Sequence, residues 1–277
     1  MRRGGEFPPP HGMDETPPIL EPAPEPIRPP RKPPPPGTSL AARLLNIFAV
    51  PGQVFDEVKA SPPRLSNWLG PALLVLAVGW FAAWLVYSRE PIQRQLREMA
   101  DQAIQKQVEK GQMTQKDAER SREFSRLGAR VLPFVTPVFL ALIAPLGWGL
   151  ILWGIGGRIL GSPFPLAKAV EVAGLANTIC VLEIAVKTLL IIGVGNLLAS
   201  SNPAALLKDF DPKNPGHSLL LVANLMAFWI LVVRAIGLAR LTGVPFPRAA
   251  TWVFGAWLLM ASLLLCLGLG AQAALGG

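Results

Sequence analysis

The sequence has little charge for its length, and long stretches of it have none. Only 16% of the 277 residues are charged, 51% are apolar, and the mean hydropathy is +0.39. No charged residue occurs from Leu65 to Ser88 or from Val131 to Gly157. A helix rises about 1.5 Å per residue, so roughly 20 apolar residues cross the hydrocarbon core of a bilayer. The missing charges exclude an ordinary soluble domain and predict a membrane protein.

Histidine and cysteine are also scarce, with two residues of each. His11 and His217 lie in a proline-rich tail and in a loop, which argues against histidine-based metal sites and histidine general bases. Phosphate-binding Gly-x-x-x-x-Gly-Lys loops and Gly-x-Ser-x-Gly elbows are absent. Cys180 and Cys266 fall inside apolar runs and are expected to pack as small apolar groups. We therefore predict no enzymatic activity, no catalytic residues, no cofactor and no metal.

The apolar runs predict an all-α polytopic membrane protein, a bundle of about five transmembrane helices. Pro133, Pro137 and Pro145 predict kinks in the second span, and neighbouring helices are expected to bond the carbonyl groups that the prolines release. Residues 65–273 are interpreted as one membrane domain. Its spans are expected at about 68–87, 132–157, 170–192, 219–239 and 249–269.

Two segments precede the first span. Residues 1–37 contain 14 prolines and are predicted to be a disordered tail. In residues 38–64, Thr38 or Ser39 can cap a short helix that Pro51-Gly52 ends. Apolar residues recur there at helical spacing, with Arg43 on the other side. This amphipathic segment is expected to lie at the membrane interface or to bind a partner through a face made of Leu44, Ile47, Phe48, Val54 and Phe55.

The loop at 88–130 differs in character from the rest of the membrane domain. It holds ten Lys or Arg and seven Asp or Glu. Gly111 is expected to break its helical pattern, and Thr114 and Asp117 resemble a capping box that opens a second helix. We predict a charged helical hairpin lying against or above the bilayer. An unidentified protein partner is expected to bind through 40–60 or 90–130.

Glu183 and Lys187, in the third predicted span, form a candidate intramembrane site. Four residues apart with Glu first, they face each other on one side of a helix. Pairing offsets the roughly 2.5–3.5 kcal/mol that each charge costs at mid-membrane. The pair is either a structural ion pair or part of a proton, ion or substrate path that includes Asn177, Thr178 and Asn224. Arg234 is expected to snorkel to the membrane surface without a functional role.

Three passages carry a family resemblance, and they run from Arg43 to Lys59, from Leu152 to Gly161 and from Trp229 to Leu238. In their order and spacing they resemble the YIP-domain (Ypt-interacting protein) family of membrane proteins, as found in bacteria. The resemblance covers about residues 40–270 and implies a five-span helical bundle with a cytoplasmic N-terminus. The Asp-Leu-Tyr-Gly-Pro motif of eukaryotic members is replaced here by Asn67-Trp68-Leu69-Gly70-Pro71. Their binding of Rab-type GTPases is therefore not carried over.

These features favour a non-enzymatic scaffold or adaptor. The alternative is a transporter or channel component that uses the Glu183/Lys187 polar stripe. Basic residues divide almost evenly between the two sides of the predicted topology, but the short loops favour a cytoplasmic N-terminus. We expect location in the bacterial cell (inner) membrane. The net charge of +8 is attributed to contacts with lipid headgroups and to membrane orientation, not to binding of nucleic acid. The oligomeric state is not predicted.

Overall fold

The structure, a computed structural model, describes Met1, residues 38–197 and residues 224–276, without the side chains of 265 and 268–276. The predicted disordered tail beyond Met1 and the latter part of the loop at 193–217 lie outside these residues. The described part contains helices and no strand, which confirms the all-α class. In chain order the helices are α1 (Leu40–Ala49), α2 (Pro51–Ala60), α3 (Ser66–Tyr87), α4 (Glu90–Glu109), α5 (Gln115–Val138), α6 (Ala144–Gly154), α7 (Leu166–Ala176), α8 (Ile179–Val194), α9 (Leu225–Thr242) and α10 (Phe246–Gly276).

Four helical stretches of the described residues are long and apolar enough to cross a membrane. They match the first four predicted spans in order, although the start of the fourth, at 219–223, is outside the described residues. The fifth predicted span, 249–269, falls within the 31-residue helix α10. The chain is thus an integral membrane protein of the helical-bundle type. The four stretches are Ser66–Tyr87, Gln115–Ile159, Leu166–Val194 and Leu225–Thr242.

Helices α1 and α2 pack onto the bundle and help to build its core. The Ser39 hydroxyl accepts a hydrogen bond from the Ala42 N–H at 3.2 Å, which caps α1 as predicted. Pro51 is the first residue of α2. A backbone N–H at this position would have no partner within the helix, so proline, which lacks one, costs no helical hydrogen bond. Phe55 is fully buried against α9, and a Cβ added at Gly237 would lie 3.2 Å from its ring. The apolar side of this segment therefore faces the chain's own core.

Helices α4 and α5 are joined by a turn at Gly111. Gly111 adopts a left-handed φ of +69° at the turn, and the Thr114 hydroxyl accepts from the Asp117 N–H at 3.2 Å to cap α5. Helical backbone then continues from Gln115 to Ile159, through α5, a π-helical segment (Phe139–Ile143), α6 and a second π-helical segment (Ile155–Ile159). These 45 residues follow a path of about 68 Å, whereas a hydrocarbon core is about 30 Å thick. The hairpin therefore extends well beyond the span.

The second and third spans meet where both are irregular. Within the π-helical segment, the residue five positions after Leu140 is Pro145, which has no N–H to offer the Leu140 carbonyl. Asn177 Nδ2 donates to that carbonyl at 3.0 Å instead. Asn177 is free to do so because the third span is not one helix, as the sequence predicted, but breaks between α7 and α8. The expected repair of proline-released carbonyls by a neighbouring helix is confirmed here.

Helices α3 and α7 approach each other closely at Gly174. A Cβ at this position would clash with the backbone and the Cβ of Trp68. Only glycine allows this separation, because its Cα carries no side chain. The approach brings the start of α3, at Asn67, within hydrogen-bonding reach of Glu171 on α7.

Candidate functional site

A buried polar network lies at the end of the bundle where α3 and α7 begin, with Glu171 at its centre. The Glu171 side chain is 1% exposed. Its Oε1 accepts from Asn67 Nδ2 at 3.0 Å and from the backbone N–H of Arg64. Its Oε2 lies 2.9 Å from Lys168 Nζ, at ion-pair distance but without hydrogen-bond angles. Lys168 also donates to the Val58 carbonyl, which links α7 to α2.

Arg43 extends the network into α1. Its side chain is 2% exposed, with Nε 3.2 Å from Glu57 Oε2 and Nη1 donating to Asn67 Oδ1 at 3.0 Å. Glu57 also accepts from the Thr38 hydroxyl. The prediction that Arg43 points away from the apolar side of α1 is wrong. The guanidinium turns inward because a carboxylate and an amide oxygen are there to bond it.

The network balances its own charge. Arg43 and Lys168 supply two cations, and Glu57 and Glu171 supply two carboxylates. Asn67 stands between them, since its amide oxygen accepts from the guanidinium while its NH₂ group donates to a carboxylate. A buried ion costs several kcal/mol unless it is paired. These partners are all engaged by one another, so the network is suited to fastening α1 and α2 to the bundle rather than to acting on a substrate.

A second group of buried polar residues lies deeper, around the middle of α9. Arg234 is 6% exposed, and its guanidinium carbon lies 4.3 Å from the centre of a Trp148 ring. Its Nε has no hydrogen-bond partner among the described residues, and neither has the buried hydroxyl of Thr178. The expectation that Arg234 snorkels to the surface is wrong. It is the tenth residue of the 18-residue helix α9 and is covered by the bundle.

The structure separates the two members of the predicted intramembrane pair. Glu183 is half-buried and accepts a hydrogen bond from Asn224 Nδ2, a residue that the sequence placed near the same path. Lys187 is exposed on α8, and no ion pair within 4.0 Å joins it to Glu183. Cys180, on the same stripe, is buried and donates to Asn177 Oδ1 at 3.3 Å. Glu183 therefore bonds across to α9 instead of along its own helix.

The five residues of the predicted partner face lie against the chain's own core. Ile47, Val54 and Phe55 are buried in the central cluster, and Leu44 packs beside it half-buried. Phe48 meets the edge of the Trp229 ring at a centroid distance of 5.7 Å. Any partner docking on this segment would have to use its opposite side, where Leu45 is 72% exposed.

Comparison with known proteins places this architecture in a family. The model of the Yip1 domain matches residues 45–268, most of the chain. The chain belongs to the Yip1 domain family. This confirms the resemblance seen in the sequence, and the match includes Glu57, Asn67, Lys168 and Glu171 of the polar network. No curated protein and no solved structure matches the chain.

The structure also extends the Yip1 domain beyond the matched residues. Arg43 lies two positions before the match begins, yet it bonds to two residues inside it. The start of α1 is therefore part of the same folded unit. Among the described residues of the domain, no group of three or more His, Cys, Asp or Glu is placed to hold a metal ion.

Sequence analysis missed the polar network, although it contained two signals for it. Glu171 is the only charged residue between Lys168 and Glu183, and it lies three residues after Lys168, the spacing of one helical turn. Asn67 stands where the motif of the eukaryotic members that this stretch resembles has an aspartate. Neither signal indicated that α1 and α2 would supply the other partners.

Proposed function

We propose that this Yip1 domain protein is a non-enzymatic membrane scaffold that presents the hairpin α4–α5 to a soluble protein partner. The observation that carries the proposal is the unused charge of the hairpin. Of the 17 charged side chains in residues 88–130, all but Arg122 are exposed, and the one ion pair among them in the described residues joins Arg122 to Asp101 at 3.6 Å. Charges that the fold does not use remain available to a partner.

The base of the hairpin is fastened to the rest of the described chain. Ile92 packs with Val86 and Ile191, and Gln95 bonds the Gly195 carbonyl at 2.7 Å and the Leu197 N–H at 3.1 Å. The turn at Gly111 is far along both helices from these contacts. A fixed base and an exposed charged tip suit a docking element.

The other candidate segment is less suited to this role. The apolar face of α1 and α2 is covered by the bundle, and within the chain Arg43 pairs with Glu57 and Asp56 pairs with Arg240. Since α3 crosses the membrane once between α2 and α4, the N-terminal helices and the hairpin are on opposite sides. With the cytoplasmic N-terminus that we propose, in a bacterial inner membrane, the partner would meet the hairpin on the outer side.

Neutralising the basic residues around the turn tests this proposal. The tip variant, Lys106→Gln/Lys110→Gln/Lys116→Gln, should reduce recovery of crosslinked partner about fivefold or more, because complementary charge speeds encounter and fixes register. All three side chains are exposed and outside the described ion pairs, so folding should be unaffected. Quantitative mass spectrometry of the purified full-length protein provides the measurement. The control, Arg158→Gln/Arg248→Gln, removes exposed charges elsewhere on the chain; equal losses in both variants would contradict a hairpin-specific role.

A transporter or channel component is the second candidate function. It is supported by the break between α7 and α8 and by the buried Arg234, which has an unpartnered Nε. Discontinuous spans with polar groups at mid-membrane line substrate and ion sites in transporters. The Glu183–Asn224 bond would lie on such a path.

Replacing Glu183 and Lys187 together with Leu separates the two functions. If the polar stripe conducts, proteoliposomes of the variant should lose most of the proton permeability that the unaltered protein confers, as read by an enclosed pH dye. If permeability is unchanged and thermal stability rises, the two residues are structural and the transport function is rejected. The tip variant should leave permeability unaltered in either case.

A further inference from the structure

The hairpin and the end of α3 enclose a cleft of about 620 Å³ that combines positive charge with aromatic rings. No acidic side chain lines it. It lies beside Tyr87, the last residue of the first span, so it is at the depth of lipid headgroups, where Trp and Tyr concentrate. Its principal lining residues are Trp84, Tyr87, Phe134, Arg97, Arg126 and Arg130.

The three arginines keep their charge unneutralised within the described part of the chain. Arg97 Nε donates to the Gln93 carbonyl at 3.2 Å, which leaves the rest of its guanidinium group unbonded. Arg126 and Arg130 form neither an ion pair nor a hydrogen bond with any described residue. The nearby Arg122 is different, because Asp101 neutralises it. Three unpaired guanidinium groups around one cleft create a local site for an anion.

An apolar cleft of about 530 Å³ adjoins the first one. The two share Tyr87, Leu96, Arg97, Arg126 and Ala129, so they form one continuous surface. The second cleft adds the apolar groups Phe124, Leu132 and Pro133 from α5, and its lining also includes the paired side chains of Asp101 and Arg122. A ligand that fills both needs an anionic head and a hydrocarbon tail.

We propose that this surface binds an anionic phospholipid, with the phosphate on the three arginines and an acyl chain along the apolar cleft. The ligand class follows from the pairing of guanidinium groups with apolar surface at headgroup depth. The proposal is independent of the scaffold function, because it concerns the base of the hairpin and not its tip. A bound lipid would hold α4 and α5 against the end of α3.

The test measures binding of short-chain phosphatidylglycerol to the purified full-length protein in neutral detergent. The cleft variant, Arg97→Gln/Arg126→Gln/Arg130→Gln, should raise the dissociation constant at least about tenfold. Each basic group near a membrane surface contributes to anionic-lipid binding. The tip variant loses the same number of positive charges, but outside the cleft, and should change the affinity by less than about threefold. Replacing the three arginines with lysine should retain most of the binding and show that the altered surface still folds.

Several outcomes would overturn the proposal. Equal weakening in the cleft and tip variants would mean attraction to net charge alone, and unaltered binding in the cleft variant would remove the arginines from the site. Phosphatidylcholine binding as tightly as phosphatidylglycerol would exclude recognition of an anionic lipid. If glycerol phosphate bound as tightly as phosphatidylglycerol and the cleft variant weakened both equally, the cleft would be assigned to a soluble phosphate ester. If the cleft variant fails to fold, Arg130→Gln alone should still weaken phosphatidylglycerol binding about threefold.

Discussion

Replacing Glu171 with Ala is expected to lower the free energy of unfolding by about 3–5 kcal/mol, the range typical of removing one member of a buried ion pair. The change would leave the 6% exposed Lys168 ammonium without its carboxylate, and it would remove the acceptor for Asn67 and for the Arg64 backbone. Unfolding in mixed micelles, followed by tryptophan fluorescence, measures the loss.

Two companion variants test whether the loss of stability comes from an unpaired buried charge. Glu98→Ala removes an exposed hairpin carboxylate and should change stability by less than about 0.5 kcal/mol. Lys168→Met/Glu171→Met removes both ions and should be more stable than Glu171→Ala, because no unpaired charge remains. If Glu171→Ala were as stable as Glu98→Ala, the network would not hold the N-terminal helices.

Changing Asn67 to Asp is expected to destabilise the protein by about 1–3 kcal/mol, although the two side chains have the same shape. The amide NH₂ now donates to Glu171 at 3.0 Å, and an aspartate oxygen in its place would repel that carboxylate. The variant would place a second carboxylate beside that of Glu171. The same unfolding measurement applies.

Two further variants make this prediction specific. Asn67→Asp/Glu171→Gln removes the repulsion between the two carboxylates, but it also leaves the Lys168 ammonium without its carboxylate, so it should remain less stable than the unaltered protein. Asn46→Asp, at a half-buried side chain with no described hydrogen bond, should have little effect. If Asn67→Asp were as stable as Asn46→Asp, the Asn67 amide would not stabilise the protein through its hydrogen bond to Glu171.

Features governed by local chemistry were predictable from sequence. The uncharged runs specified the spans, Gly111 specified the turn of the hairpin, and Ser39 and Thr114 specified caps, because each depends on residues close in the chain. Asn224, which the sequence placed near Glu183 only under the transport alternative, donates a hydrogen bond to Glu183.

The predictions that failed concern contacts between residues far apart in the chain. Glu171 meets Asn67 across 104 positions and Arg64 across 107. The amphipathic pattern of α1 and α2 correctly indicated an apolar side, but a core, a lipid surface and a partner protein can each cover such a side. Arg43 was misplaced for the same reason, since a buried arginine is tolerable only if its partners arrive from other elements.

We propose the hairpin, and not the N-terminal segment, as the surface offered to a partner. Photo-crosslinking in cells tests this, with benzoylphenylalanine placed at Gln102 or Gln107 in α4 and at Leu45 on the open side of α1. All three side chains are exposed. We expect protein crosslinks from positions 102 and 107 that weaken in the tip variant, and none from position 45. Crosslinks from position 45, with none from the hairpin, would contradict the claim.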